Sequence, residues 1–190
     1  MADEGWTEGA LREVIADIAA PTPAPGGGST AALACALAAA LTEMVAAFRE
    51  APASGRAAEM RERALALAER DLDSYPPVMD AVRLPVDDER RPDAIARALS
   101  DASAVPLEVA QIGAELAELA ARLTEDANLH TAGDGAVAAV LAEGVCQASA
   151  TLVALNLKGT ADVRQEQAAQ LVVDASAARR RALRAAHGAH

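Results

Sequence analysis

Alanine supplies about a quarter of this 190-residue chain, whereas aromatic residues make up only 2% of it. Alanine is the strongest helix former, and strands favour the β-branched and aromatic residues that are scarce here. Hydrophobic residues account for 52% of the sequence and are spread evenly along it, which argues against disorder. We therefore predict one all-α domain over residues 1–190, a single bundle of about six alanine-rich helices.

Apolar periodicity and helix-breaking residues set the expected boundaries of these helices. The prolines and glycines at 21–28 separate a short amphipathic helix from an apolar one, and Pro76-Pro77 must bend or end the third helix. Pro106 should kink or restart the fourth helix, and loops are expected at 86–93 and 126–135. The predicted helices cover 7–20, 29–48, 55–75, 94–123, about 136–157 and 161–188, the last with a basic tail at 179–190.

The charge of the chain limits its partners. A net charge of −11 argues against a broad nucleic-acid surface, because phosphate recognition needs clustered Lys and Arg. The apolar stretches 29–48 and 136–157 are alanine-rich and contain Glu43 and Glu143, so we expect helices buried among other helices rather than membrane spans. The acidic N-terminus does not resemble a signal peptide. Cys35 and Cys146 are expected to be core residues of a cytoplasmic protein.

The segment Pro25-Gly26-Gly27-Gly28-Ser29 opens the second predicted helix. Glycine lets the backbone approach a ligand closely, and the free N–H groups of a first helical turn favour an anion. The alternative is a tight turn with Ser29 as the N-cap. The segment lacks the lysine of a P-loop and the spacing of a dinucleotide fingerprint, so we do not predict nucleotide binding.

Five segments resemble one family in collinear order from residue 21 to residue 162, and one of them is the loop around Asn128 and Asp134. The other four read PTPAPGGGSTAALACALAAALTEMV at 21–45, SYPPVMDAVRLP at 74–85, ASAVPLEVA at 102–110 and NLKGTAD at 156–162. This pattern is similar to that of the formiminotetrahydrofolate cyclodeaminase and methenyltetrahydrofolate cyclohydrolase family. The resemblance implies an all-α homodimer that binds a tetrahydrofolate derivative and acts on its one-carbon unit without a metal.

The resemblance also implies which residues form the site. Substrate binding falls on the glycine-rich loop, on an acid and an aromatic residue one helical turn apart, and on two asparagines: Pro25, Gly26, Gly27, Gly28, Ser29, Asp71, Tyr75, Asn128 and Asn156. The catalytic candidates are Asp134, His130 and Lys158, the single lysine of the sequence. The alternatives for these three are a helix cap, an incidental loop histidine and a surface cation at a helix end.

Asp134 also has a physical argument of its own. It lies three and seven residues before Val137 and Leu141, and it therefore continues an apolar stripe that we expect to be buried. Burial would favour the protonated carboxyl that a general acid needs, while a nearby helix N-terminus would favour the anion. Asp134 and Asn156 share one predicted helix, which separates them by about 33 Å. A second, antiparallel copy would have to bring them to one ligand.

Two reactions of this family fit the sequence equally well. In a cyclohydrolase, water attacks the amidinium carbon of 5,10-methenyltetrahydrofolate. In a cyclodeaminase, N10 of 5-formiminotetrahydrofolate attacks the formimino carbon and ammonia leaves. The chain departs from the family at Val82, Val86 and Gly133, where relatives often have Tyr, Lys and Ser. Two alternatives therefore stay open: a divergent relative that transfers one carbon from a methylene- or methenyl-tetrahydrofolate to a small metabolite, and a non-catalytic ligand-binding dimer.

Overall fold

The computed structural model describes residue 7, residues 9–126 and residues 129–188, the last range without the side chains of 129 and 130. It contains seven helices in that part of the chain and no strand, which confirms the all-α prediction. The helices are α1 (Ala10–Ala19), α2 (Gly27–Phe48), α3 (Ala53–Arg83), α4 (Arg91–Ala102), α5 (Ala104–Glu125), α6 (Leu129–Asn156) and α7 (Val163–Gly188). There is one helix more than expected, because the predicted fourth helix is interrupted at Ser103.

Three predicted boundaries were wrong. Helix α2 begins two residues before Ser29, and Gly26 is its N-cap. Helix α3 continues through Pro76 and Pro77, which lie on its exposed side, where water can satisfy the carbonyls that lose an N–H partner. Helix α6 begins at Leu129, so the predicted loop 126–135 is mostly helix.

Helix α5 lies at the centre of the bundle and packs against α2, α3, α6 and α7. Small residues allow this close approach: a Cβ atom built on Gly113 of α5 would lie 3.0 Å from the carbonyl oxygen of Ala142 in α6. Leu116 of α5 is fully buried. Cys35 of α2 and Cys146 of α6 are fully buried too, which confirms that they are core residues.

Most of the apolar stripe predicted for α6 lies outside the core, contrary to the prediction. Its residues from Val137 to Leu141 are exposed, whereas Val145 and Val153 are buried together with small residues such as Ala138. Helix α2, which packs against α6, shows the same arrangement. We call the exposed apolar residues of these two helices the outer face: Leu37, Phe48, Val137, Val140, Leu141 and Leu155.

Two helices are long and apolar enough to cross a membrane by length and composition alone, Gly27–Phe48 and Thr131–Asn156. Half of each apolar window is buried inside the bundle. Glu43 of α2 and Glu143 of α6 are each bound by a neighbouring helix. Arg61 of α3 donates to Glu43 at 2.9 Å, and the Ser176 hydroxyl of α7 donates to Glu143 at 2.8 Å.

Candidate active-site cleft

A cleft of about 240 Å³ opens where five helices meet. The first turn of α2 and the middle of α3 form one side of it, and the C-terminal ends of α4 and α6 with the start of α5 form the other. The lining residues are Pro23, Ala24, Gly26, Gly27, Gly28, Asp71, Ser74, Tyr75, Val78, Leu99, Ala102, Pro106, Leu152 and Asn156. Six predicted substrate-binding residues, drawn from three distant segments, therefore line one cavity.

Asp71 lies directly against the first turn of α2. The Ser29 hydroxyl donates a hydrogen bond to Asp71 Oδ2 at 2.9 Å, so Ser29 holds the carboxylate and does not cap the helix. A Cβ atom on Gly28 would lie 2.2 Å from Asp71 Oδ1, well inside contact distance. Position 28 must therefore be glycine for the carboxylate to occupy this place. The glycine-rich segment serves here to admit a carboxylate to a helix N-terminus, where the free N–H groups stabilise negative charge.

The remaining walls of the cleft are mostly apolar. Tyr75 follows Asp71 by one turn of α3 and is 41% exposed, with its ring at the mouth of the cleft. Leu152 and Asn156 are one turn apart on α6 and face the glycines from the opposite side. Of the described residues that line the cleft, only Asp71 carries a formal charge. An apolar cavity with few polar groups and one carboxylate is typical of a site for a small organic cation.

Pro25 and Ser29 border a second, smaller hollow beneath α1. Its volume is about 210 Å³, and it is lined on the α1 side by Val14 and Ile18. Ser29 lies between the two cavities. It borders this hollow, and its hydroxyl binds Asp71, which lines the main cleft. The predicted glycine-rich segment thus contributes Gly26, Gly27 and Gly28 to the cleft itself.

Two of the predicted catalytic residues, Asp134 and Lys158, do not line this cleft. Asp134 lies half-buried in the second turn of α6, at the end of the helix opposite Asn156, so it does not cap that helix. Lys158 is exposed in the turn after α6 and does not line the cleft. Asn128 and the side chain of His130 lie outside the described residues. The assumption that Asp134 sits on a buried stripe was wrong for a single chain, because that stripe is exposed.

Sequence reasoning missed the apolar half of the cleft. Leu99 and Ala102 come from α4, which was predicted as part of a longer helix, and Pro106 begins the next wall in the first turn of α5. The segment ASAVPLEVA was noticed for its resemblance, but nothing local showed that it faces the glycines. The spacing of Leu152 and Asn156, one helical turn apart, is the signal that would have found Leu152.

The fold and the cleft together define a helical bundle with a small-molecule site between the N-terminus of one apolar helix and the C-terminus of another. The chain belongs to the formiminotransferase-cyclodeaminase family, whose model matches residues 10–175. Among solved structures it is similar to formiminotetrahydrofolate cyclodeaminase from Thermotoga maritima, with 25% sequence identity and a TM-score of 0.78. That match covers 95% of this chain and 97% of the other. A search of curated protein sequences gives no match.

No group of three or more His, Cys, Asp or Glu side chains that could hold a metal ion is found in the described ranges 9–126 and 131–188. The expectation that the reaction needs no metal stays a prediction.

Proposed function

We propose that this protein is a folate one-carbon enzyme of the cyclodeaminase or cyclohydrolase type, which holds the one-carbon unit of a tetrahydrofolate beside Asp71. The observation that carries the proposal is the convergence of Gly26–Gly28, Asp71, Tyr75 and Asn156 on one cleft in a member of this family. The proposal includes a cytoplasmic homodimer that needs no metal and has no nucleic-acid or membrane partner.

The charge of the cleft fits the chemistry of both candidate substrates. The bridge carbon of 5,10-methenyltetrahydrofolate belongs to an amidinium cation, and a protonated formimino group is an amidinium as well. A single carboxylate at an otherwise uncharged cleft attracts such a cation. Cyclohydrolase and cyclodeaminase chemistry therefore make the same demand on Asp71, and the cleft serves either reaction.

Each lining residue then has a task in the reaction. Asp71 accepts the proton from the attacking water or N10 and returns it to the departing nitrogen, a role that contributes about 10²- to 10⁴-fold to rate. Ser29 holds one carboxylate oxygen through its hydrogen bond and leaves the other free. Tyr75 covers the flat ring of the substrate. The Asn156 amide supplies both a donor and an acceptor to the ring edge.

A second copy of the chain completes the site. The cleft of about 240 Å³ is smaller than the roughly 300–1,000 Å³ typical of small-molecule sites, which leaves part of a folate uncovered. Four exposed large apolar residues lie on α6 and two on α2, and pairing of two outer faces would remove them from water. Asp134 extends the outer face of α6 by one turn. If the two α6 helices pair antiparallel, Asp134 of one copy lies near Asn156 of the other.

The first experiment follows the loss of 5,10-methenyltetrahydrofolate absorbance and the release of ammonia from 5-formiminotetrahydrofolate. We expect the wild-type protein to accelerate one of them, and Asp71→Asn to lower kcat/KM by about 10²- to 10⁴-fold. Asp73→Asn is the matched control, because Asp73 lies two residues away on the exposed side of α3. Turnover of neither substrate by the wild-type protein would contradict the proposed function. Full activity of Asp71→Asn would contradict only the role of Asp71.

The proposed dimer has a separate test in sedimentation velocity. Leu37 is 66% exposed on the outer face, and Leu37→Lys places a charge there that cannot be buried. We expect a dimer for the wild-type protein and a monomer for this variant. Leu65→Lys is the control, since Leu65 is exposed on α3 between Glu62 and Glu69, and it should leave the dimer intact. A monomeric wild-type protein would contradict the proposal.

A further inference from the structure

A bidentate ion pair between Asp162 and Arg164 lies at the start of α7. Its arginine also binds Ser100 of α4, a helix that lines the cleft. Asp162 accepts hydrogen bonds from Nε and Nη2 of Arg164 at 2.9 and 2.6 Å, and from the Arg164 backbone N–H at 2.9 Å. The same guanidinium donates to the carbonyl oxygen of Ser100 at 2.9 Å and to its hydroxyl at 2.6 Å. Both charged side chains are about three-quarters buried, with exposures of 25% and 26%.

Ser100 belongs to the helix of the cleft that is attached least firmly. Helix α4 has no buried residue, yet its last two turns supply Leu99 and Ala102 to the cleft. Its first residue, Arg91, donates to the carbonyl oxygens of Val82 and Leu84 at the end of α3. Arginine therefore fixes α4 at both ends, and the link at the end that lines the cleft is Arg164.

The chain also contains a local copy of this ion pair that reaches no other helix. Arg90 donates to Asp88 through its backbone N–H, Nε and Nη2 at 2.9, 3.0 and 2.7 Å, with the same spacing of two residues. The Arg90 side chain is 80% exposed. An Asp-x-Arg pair thus needs no further acceptor to form, and the two additional hydrogen bonds from Arg164 to Ser100 are what distinguishes the buried pair.

We propose that Arg164, oriented by Asp162, is a positioning residue for the cleft: it holds the last turns of α4 at a fixed distance from Asn156. Asn156 ends α6 only six residues before Asp162. The segment from 156 to 164 therefore positions both Asn156 and, through Arg164, the end of α4. A substrate ring that fills the cleft contacts Leu99 and Ala102 on one side and Asn156 on the other. The inference that this wall contacts a folate depends on the proposed function, whereas the attachment of α4 does not.

The test compares Arg164→Gln with Arg90→Gln, which removes the same local pair at the N-cap of α4 but breaks no hydrogen bond to another helix. Contacts of the wall with substrate exist before and during the reaction, so their loss raises KM and leaves kcat unchanged. We expect Arg164→Gln to raise KM about tenfold with kcat within about twofold of wild type, and Arg90→Gln to change neither. Arg164→Lys keeps the positive charge but loses the planar set of N–H donors that binds Asp162 and Ser100 together, so it should give an intermediate KM. Ser100→Ala, which keeps the carbonyl acceptor, should give a smaller rise.

A purely structural role would give a different result. It would lower the fraction of folded enzyme, which reduces apparent kcat at unchanged KM, and that outcome in Arg164→Gln and Arg164→Lys would overturn the proposal. An equal rise of KM in Arg90→Gln would overturn it as well.

Hydrogen exchange of residues 91–102 gives a readout that is independent of activity. Faster exchange in Arg164→Gln than in wild type and Arg90→Gln supports the attachment even if neither folate is turned over, and unchanged exchange would refute it. Failure of the proposed function and failure of this inference are therefore distinguishable.

Discussion

At the scale of single residues, the site depends on the absence of a side chain at Gly28. A side chain there would occupy the place of the Asp71 carboxylate, whereas a Cβ atom on Gly27 would find only Leu152 Cδ2 at 3.8 Å and Cδ1 at 4.0 Å. Neighbouring glycines in one helical turn therefore differ. Position 28 must be glycine to admit the carboxylate, whereas a methyl group at position 27 would make only an ordinary contact with Leu152.

Gly28→Ala should impair the enzyme without unfolding it. The new methyl group displaces Asp71 and separates it from Ser29, so we expect kcat/KM to fall at least about tenfold. Alanine in a helix is more favourable than glycine by up to about 1 kcal/mol, which limits the loss of stability. Gly27→Ala is the control and should stay within about twofold of wild type. Equal activity of the two variants in the folate assays would argue against the placement of Asp71.

Replacing two buried serines by alanine should change the free energy of unfolding in opposite directions. Ser149 is fully buried in α6, and its hydroxyl has no hydrogen-bond partner among the described residues. Ser149→Ala should therefore raise the free energy of unfolding by about 1 kcal/mol, as it removes a desolvated polar group. Ser103 is equally buried, but its hydroxyl donates to the Leu99 carbonyl at 2.9 Å. Ser103→Ala should lower the free energy of unfolding by about 1 kcal/mol. Urea unfolding measures both, and destabilisation by Ser149→Ala would show that its hydroxyl is satisfied.

At the scale of elements, α2 and α6 determine both the core and the outer face. Each helix presents mainly alanine, cysteine and valine to the bundle, and several of its larger apolar residues are exposed to solvent. Small residues allow the axes to approach closely, and the large residues stay free for another surface. This division explains why the apolar stripe of α6 is exposed although it has helical periodicity.

The two cysteines test how tightly these elements pack. Burial raises the pKa of the Cys35 thiol to about 12, and burial together with the charge of Glu143 raises the pKa of the Cys146 thiol to about 12. Only about one thiol in 10,000 is then ionised at pH 8, so the native protein should not react with a thiol-specific disulfide reagent. Both thiols should react in denaturant. Ala66→Cys places a thiol on the exposed side of α3 and should react at once. Rapid labelling of native wild-type protein would contradict the packing of α2 against α6.

At the scale of the whole molecule, the site that we propose draws on two copies of the chain. Asp71 lies in the cleft, and Asp134 lies at the far end of α6, about 33 Å from Asn156 by helix length. If both carboxylates act on one substrate, as we propose, a second copy must bring Asp134 to the cleft. The exposed outer face between them gives that copy a surface to bind.

Subunit mixing tests this arrangement directly. We expect Asp71→Asn and Asp134→Asn to be inactive separately, and an exchanged equal mixture to recover about a quarter of wild-type activity. Half of the dimers in the mixture are mixed, and each mixed dimer has one intact site of two. An isotope-labelled subunit confirms exchange by mass spectrometry. If exchange occurs without recovery, Asp134 does not share a site with Asp71 of another copy.

The sequence determined the helical class and most helix positions, and it predicted six of the residues that line the cleft. Alanine content and periodicity are local properties, and the resemblance named Asp71, Tyr75 and Asn156 before any cavity was known. It could not show which side of α6 is buried, because a helix with small residues on one side and large ones on the other can turn either toward its neighbours. Only the tertiary structure settled that the small residues face inward. It also settled that Ser29 binds Asp71 instead of capping α2, and that Arg164 reaches Ser100. These contacts join residues far apart in the chain, and their geometry depends on how the helices pack rather than on any local pattern.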